Sequence, residues 1–378
     1  MRNHHIPNQP PRWLPHVDHN CHWYGFLLLQ AALILGALLF DISSVLAANG
    51  RMFTSPRADD VVQRGSSGAA DVHFSLSPGR NPARVQLTPA DKPFIPNRTR
   101  EVSVPAGSTQ GVFTDVPGGL YNLCLKDRPN SCRHVGVGEV FLVAGQSNAV
   151  SAADPGSPVV SQTGLVAVSA HHGDAPEHAN EPPDTETLHF VTKAHPTMVG
   201  VCWVRLGDLL VQKYKVPVGF VLVARSATNT DCWNPASGAC WGGAARALAA
   251  RHFRAVLWHQ GESDVMGGFP MEKSLTNMRA MIAASREIKP GIPWIMARNS
   301  LKTATPYAEQ AVRRAQEKLI ASGTVWAGPD TDVLRDHPGW VGVADFGPEA
   351  RNRCGALWFA SVDALLSGDS AHVKDPAP

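Results

Sequence analysis

The strongest pattern in the chain is a set of short, almost wholly apolar runs in its second half: 140–144, 216–223, 256–258, 294–297 and 324–326. Runs of this length with little alternation match strands buried on both faces of a sheet. Between them, apolar positions recur three and four residues apart, which predicts helices over 201–214, 244–253, 271–287, 307–321 and 349–366. Strand and helix in alternation imply a parallel sheet with helices on both faces. The first half reads differently. From 71 to 133, short runs such as Val72-His73-Phe74-Ser75-Leu76 and Arg84-Val85-Gln86-Leu87 are punctuated by Pro, Gly, Asn and Asp. They predict a small β-sandwich over 71–135, ahead of an α/β domain over 136–368 and a tail at 369–378. A long loop rich in His, Asp, Glu and Pro fills 152–196.

The N-terminal part carries no such pattern. Residues 1–22 are polar and rich in Pro and His, 23–40 is an uncharged apolar run, and Val45 and Ala47 fit a small-residue cleavage site. The run is longer than an ordinary signal core and near the lower limit of a spanning helix. Residues 23–48 are therefore either a cleaved signal or an uncleaved anchor. Both allow the rest of the chain to lie outside the cytoplasm: periplasmic or secreted, or held to the inner membrane through 23–40. Residues 49–70 read as a linker.

Composition is that of a globular protein, with 44% hydrophobic and 17% charged residues. A net charge of +2 and no basic stripe argue against nucleic acid as a partner. Of the seven cysteines, six follow the apolar run, an even set that suits disulfides in an exported chain. The shared spacing of Cys124/Cys132 and Cys232/Cys240 favours those two bridges, with Cys202–Cys354 as a third candidate. Six cysteines allow about 15 pairings, so the pattern does not decide. His171, His172, His178, His189 and His195 match no standard ligand spacing, and no metal or cofactor is expected.

Two of the apolar runs end in polar residues around a glycine. Val140-Phe141-Leu142-Val143-Ala144 leads into Gly145-Gln146-Ser147-Asn148, and Val256-Leu257-Trp258 leads into His259-Gln260-Gly261-Glu262. Catalytic groups in open α/β sheets sit at the carboxyl ends of strands. Together, and with the lead-in Gly138-Glu139-Val140-Phe141, these motifs resemble the sialate O-acetylesterase and acetyl xylan esterase group of the SGNH (GDSL-like) hydrolases. The resemblance spans roughly residues 71–366. It implies a flavodoxin-like parallel sheet, the SGNH hydrolase fold, and an ester-cleaving serine.

Acyl transfer needs a nucleophile, a base and donors for the developing oxyanion. The resemblance makes Ser147 the nucleophile and its own N–H one donor, with the Gln260 side chain a second. A third donor in such proteins comes from a Gly-Gly-Thr stretch, where this chain has Ser226-Ala227-Thr228. Ala227 keeps the N–H if its backbone tolerates a side chain. Gln146, Asn148 and Asn229 are candidates to line the substrate.

The base is where the chain departs from the family. An Asp-x-x-His pattern is expected before the last helix, and the matching place reads Gly342-Val343-Ala344-Asp345-Phe346. His337, nearby in Asp336-His337-Pro338, is the replacement candidate, with Glu262 or Asp332 to orient it; His259 is a second. Asp345 alone would be a weak base unless strongly desolvated. Two function classes follow. One is an exported serine esterase that removes or transfers O-acetyl groups on an oligo- or polysaccharide. The other is a degenerate member that binds acylated glycan in exopolysaccharide assembly without turnover.

Overall fold

The computed structural model describes residues 51–90, 98–151, 159–169, 187–193, 200–299, 301, 306–334, 340–341 and 345–369. The apolar run at 23–48, the stretch 335–339 with Asp336 and His337, and most of the 152–196 loop lie outside the described residues. Residues from Met52 onward form one unit.

Its N-terminal part is two facing layers of strand. One is a three-stranded sheet in the order β1 (Phe53–Ser55), β3 (Ala69–Leu76) and β6 (Gln110–Pro117), all antiparallel. Along β3, Val72, Phe74 and Leu76 are buried while Asp71 and His73 are exposed, the period-two alternation of a sheet with one wet face. The other layer holds β4 (Ala83–Pro89), β5 (Arg100–Val104), β7 (Gly119–Leu125) and the first part of β8 (Arg128–Gly145), with β2 (Asp60–Gln63) pairing parallel to β8. Phe74, Leu87, Phe113, Leu123 and Val135 fill the space between. β1 and β2 fall within 49–70, the stretch expected as linker; each has only three or four residues, too few to show a period.

β8 does not stop where the sandwich ends. Its 18 residues run on into the α/β part, where Glu139–Val143 pair with β11 (Val218–Leu222) and Phe141–Gly145 pair with β12 (Ala255–His259). The sheet continues in the order β10 (Leu188–Phe190), β9 (Val166–Ser169), β11, β8, β12, β13 (Trp294–Arg298), β14 (Trp326–Asp330). Pairings from β9 to β14 are parallel and β10–β9 is antiparallel. The eleven-stranded whole is thus mixed rather than the purely parallel sheet expected. The reasons are local: β8 is shared with the antiparallel sandwich layer, and an edge strand returns from the stretch read as loop. β15 (Trp340–Val341) and β16 (Asp345–Phe346) form a small antiparallel pair ahead of the last helix.

Helices cover both faces, as the alternation implies. α1 is the short turn Ser147–Val150, α2 is Val201–Tyr214, α3 is Trp241–Ala250, α4 is Glu262–Met266, α5 is Met271–Ile288, α6 is Pro306–Ala321 and α7 is Pro348–Ser367. Phe141 and Val143 of β8 face α2 and α7, packing with Trp203, Phe220 and Trp358. Val140 and Leu142 face the other way, toward Leu248, Met278, Met281 and Leu319. α2 and α7 approach so closely that a Cβ on Gly355 would stand 2.5 Å from the Cys202 carbonyl oxygen. Among the described residues no helix is long and apolar enough to cross a membrane.

Cys124–Cys132 and Cys232–Cys240 are disulfides. Cys202 and Cys354 are free and buried, so the third candidate bridge is not formed. They lie side by side across the α2–α7 contact, where burial pushes the Cys202 thiol up. Burial also acts to raise Cys354, but Cys202 and the neighbouring His259 ring outweigh it and hold that thiol lower.

Candidate active site

Gly145 ends β8 with φ +133°, and a Cβ there would lie 2.0 Å from the His259 carbonyl oxygen. Only glycine permits that turn beside β12. The Gln146 N–H then donates to His259 O at 3.1 Å, and the Arg225 N–H donates to Gly145 O at 2.8 Å. Three neighbouring strand ends are thereby fixed around Ser147. Being first in α1, the Ser147 N–H has no acceptor within its own helix.

The Ser147 hydroxyl donates to Asp345 Oδ1 at 2.6 Å. Asp345 is exposed and Ser147 partly so, which leaves the pair open to solvent. Asn148 sets the approach: its Oδ1 accepts from the Phe346 N–H at 3.0 Å, and its Nδ2 donates to Glu262 Oε1 at 2.7 Å. Glu262 is 1% exposed. Burial pushes its carboxyl up, against the opposing pull of His259 and of the Asn148 and Asn299 amides.

Gln146 and Gln260 are buried together. Gln146 Oε1 accepts from Gln260 Nε2 at 2.7 Å and from the Ser263 N–H at 3.0 Å, tying the two motifs. Gln260 Nε2 also donates to the Thr228 carbonyl oxygen at 2.7 Å, so both of its hydrogens are engaged. Ala227 is exposed with φ +56°, a left-handed conformation that is about 1–2 kcal/mol unfavourable for a residue with a Cβ. The following loop is braced: Trp233 Nε1 donates to Thr228 Oγ1, and Asp264 Oδ1 accepts from Thr230 N–H and Oγ1. Asn229 accepts from the Cys232 N–H within that loop.

His259 is wholly buried, its ring 5.8 Å from that of Phe346 and 6.2 Å from that of Trp358. Burial pulls the imidazole down, but Cys354, Glu262 and Asp332 outweigh it and the net shift is upward. Asp332 is held by Arg313, which also grips Asp330 at 2.6 Å. Sequence reasoning missed Asn299 and Gln316. Asn299 Nδ2 donates to Glu262 Oε2 at 2.7 Å, and Gln316 Nε2 to Gln260 O at 3.0 Å. The signal available for Asn299 was its place just after the β13 run. Among the described residues, no group of three or more His, Cys, Asp or Glu could hold a metal ion.

A carbohydrate acetylesterase from Xanthomonas citri has a similar fold, with a TM-score of 0.59 and 16% identity over 84% of this chain and 76% of that one. A protein from Arabidopsis thaliana matches with a TM-score of 0.43 and 17% identity, covering 61% of this chain and 98% of its own. A family two carbohydrate esterase from Cellvibrio japonicus matches at 0.38 and 10%, covering 84% and 98%. No curated protein matches by sequence. The family model for the sialic acid-specific acetylesterases among the carbohydrate esterases matches residues 137–333, just over half of the chain and inclusive of both strand-end motifs. The chain belongs to that carbohydrate esterase family.

Proposed function

We propose that this protein is an exported serine esterase that removes O-acetyl groups from carbohydrate through an acetyl-Ser147 intermediate. The observation that carries the reading is the Ser147 hydroxyl, open to solvent at the strand end and donating to Asp345. In this reading Ser147 Oγ attacks the acetyl carbonyl carbon and its proton passes to a base. The ester C–O bond breaks, and the sugar oxygen leaves with a proton. Water then attacks the acetyl-serine, releasing acetate and restoring the hydroxyl.

The backbone N–H groups of Ser147 and Ala227 are the oxyanion donors that need no rearrangement. Gln260 would have to release Gln146 or Thr228 to join them. Asp345 is the proton acceptor in contact; His337 is the imidazole candidate, with Glu262 beneath the site. Gln146 and Asn148 support the wall through their buried amides, and Asn229 belongs to the loop beside it. Two disulfides support an extracytoplasmic site of action, and residues 23–48 are the segment proposed to direct it there.

A second reading, binding of acylated glycan without turnover, draws on the carboxylate rather than imidazole in contact with Ser147. Labelling with an aryl phosphonate separates the two. Wild type should label and hydrolyse an aryl acetate, and Ser147→Ala should do neither. If His337 is the base, His337→Ala should lose turnover and Asp345→Ala should lose less; the reverse order would make Asp345 the base. A folded wild type that neither labels nor turns over supports the binding reading.

A further inference from the structure

The contact between Ser147 and Asp345 lies at the end of a chain of hydrogen-bonded groups that starts far from it in sequence. Five hydrogen bonds link α6, the end of β13, α4, α1 and β16. Asn299 N–H donates to Gln316 Oε1 at 3.1 Å, and Gln316 Nε2 returns to Asn299 Oδ1 at 3.2 Å. Asn299 Nδ2 donates to Glu262 Oε2 at 2.7 Å, and Asn148 Nδ2 donates to Glu262 Oε1 at 2.7 Å. The Phe346 N–H then donates to Asn148 Oδ1 at 3.0 Å. Asp345, the next residue, meets Ser147.

The orientation of every amide here follows from a group with one choice. A backbone N–H can only donate. Phe346 therefore requires the oxygen of Asn148, which leaves its nitrogen for Glu262. Asn299 N–H requires the oxygen of Gln316, whose nitrogen also serves the Gln260 carbonyl, a pure acceptor. That nitrogen takes the oxygen of Asn299, leaving the nitrogen of Asn299 for Glu262. Glu262 thus receives a donor on each oxygen. Neither Asn can turn over without facing like against like, so the chain has one arrangement rather than several. All of Asn148, Glu262, Asn299 and Gln316 are buried, at 4%, 1%, 1% and 1% exposure. Water has little access to replace a lost partner.

We propose that Asn299 and Gln316 are positioning residues for the Ser147–Asp345 pair, acting through Glu262 and Asn148 to fix the backbone at Phe346. The inference rests on the reading of Ser147 and Asp345 as the reacting pair. Neither residue touches that pair. A displacement of about 1 Å at the reacting groups is enough to slow a reaction by about a hundredfold, so a remote amide has leverage if it sets their separation.

The test has two readouts. The first is amide hydrogen exchange in the full-length protein, which needs no activity. Asn299→Ala should lower protection of the Phe346 N–H by at least about tenfold, while Leu142 and Leu257 in the central strands keep theirs. Unchanged protection at Phe346 overturns the proposal. Loss of protection throughout would signal general unfolding; Gln316→Leu, which removes the outer link and keeps the volume, is then read by the same criterion. The second readout is aryl acetate kinetics on Asn299→Ala, Asp345→Ala and the double variant. Asn299→Ala should lower kcat about tenfold or more with KM little changed, and should add nothing in the Asp345→Ala background. Independent, multiplying losses overturn the proposal. A folded wild type without turnover would instead remove the proposed function and leave the exchange result to judge the chain of contacts.

Discussion

Asp264 shows how much a single residue at this site is asked to bear. It is 1% exposed, and burial raises its carboxyl to about 7, with the Asp231 and Glu262 charges adding to the rise and Thr230 opposing it. The folded state therefore holds a proton that the unfolded chain, with an aspartate at about 3.9, gives up earlier. Its stabilising effect is complete below about pH 4 and is lost as pH climbs toward 7. Over that window the loss is on the order of a few kcal/mol. Asp264→Asn keeps an oxygen for both Thr230 donors and removes the titration. Its melting temperature should change less than wild type's between about pH 5 and pH 8; an identical pH dependence would show that Asp264 does not titrate there. At this scale, the sequence made Ser147, Asn148, Gln260 and Glu262 legible because they end apolar runs. Asp345 was read as a weaker base than His337, and it is Asp345 that meets the Ser147 hydroxyl. Beside that contact Asn148 accepts from the Phe346 N–H, nearly two hundred residues away along the chain, a pairing that no local pattern announces.

The element that shapes the open side of the site is the loop from Arg225 to Cys240. It starts in a strained turn at Ala227, is pinned by Trp233 and by Asp264, and is closed by Cys232–Cys240. Loop-closure entropy for a ring this small is worth about 2–3 kcal/mol. The paired Cys232→Ser/Cys240→Ser variant should lose about that much in denaturant unfolding and also lose aryl acetate turnover. The equivalent change at Cys124 and Cys132, in the sandwich, should leave kcat within about twofold. Equal losses of kcat from both pairs would mean that the loop has no special place in the site. Most helices were legible from their spacing: 201–214 and α2 coincide, and α5, α6 and α7 differ from expectation by a residue or so. β9 and β10 were not, since four and three residues inside a polar stretch carry too little pattern.

At the scale of the molecule, one buried carboxylate sits where the sandwich and the α/β sheet share β8. Glu139, 1% exposed, accepts from Arg64 Nε at 2.7 Å, Arg254 Nε at 2.6 Å and Gln63 Nε2 at 3.0 Å. Arg64 follows β2 and Arg254 precedes β12, so the cluster joins the sandwich to the α/β sheet. Removing one member of a buried ion pair is strongly destabilising because the others keep their charge. Both guanidinium groups retain some water, so Glu139→Ala should cost roughly 3 kcal/mol, the low end of that range. Because β8 still runs through both parts, unfolding followed in the sandwich and in the α/β sheet should remain a single transition at a lower midpoint; two separate transitions would show that the shared strand alone does not couple them. That short strands come first and strand–helix alternation follows could be read from the change of pattern along the chain. Their fusion through one strand could not, because an apolar run says nothing about how many partners it has.

The shared strand also sets an order of events during synthesis. The half of β8 inside the sandwich finds β7, made just before it, at once. The half that ends at Gly145 must wait for β11 and β12. At about 5–20 residues per second, the second of these arrives roughly 5–20 seconds later. For that interval Val140-Phe141-Leu142-Val143 is an apolar edge with open backbone groups, the kind that pairs with other chains. The segment that delivers Ser147 to its place is thus also the one most exposed to the wrong neighbour, and slower translation lengthens its exposure.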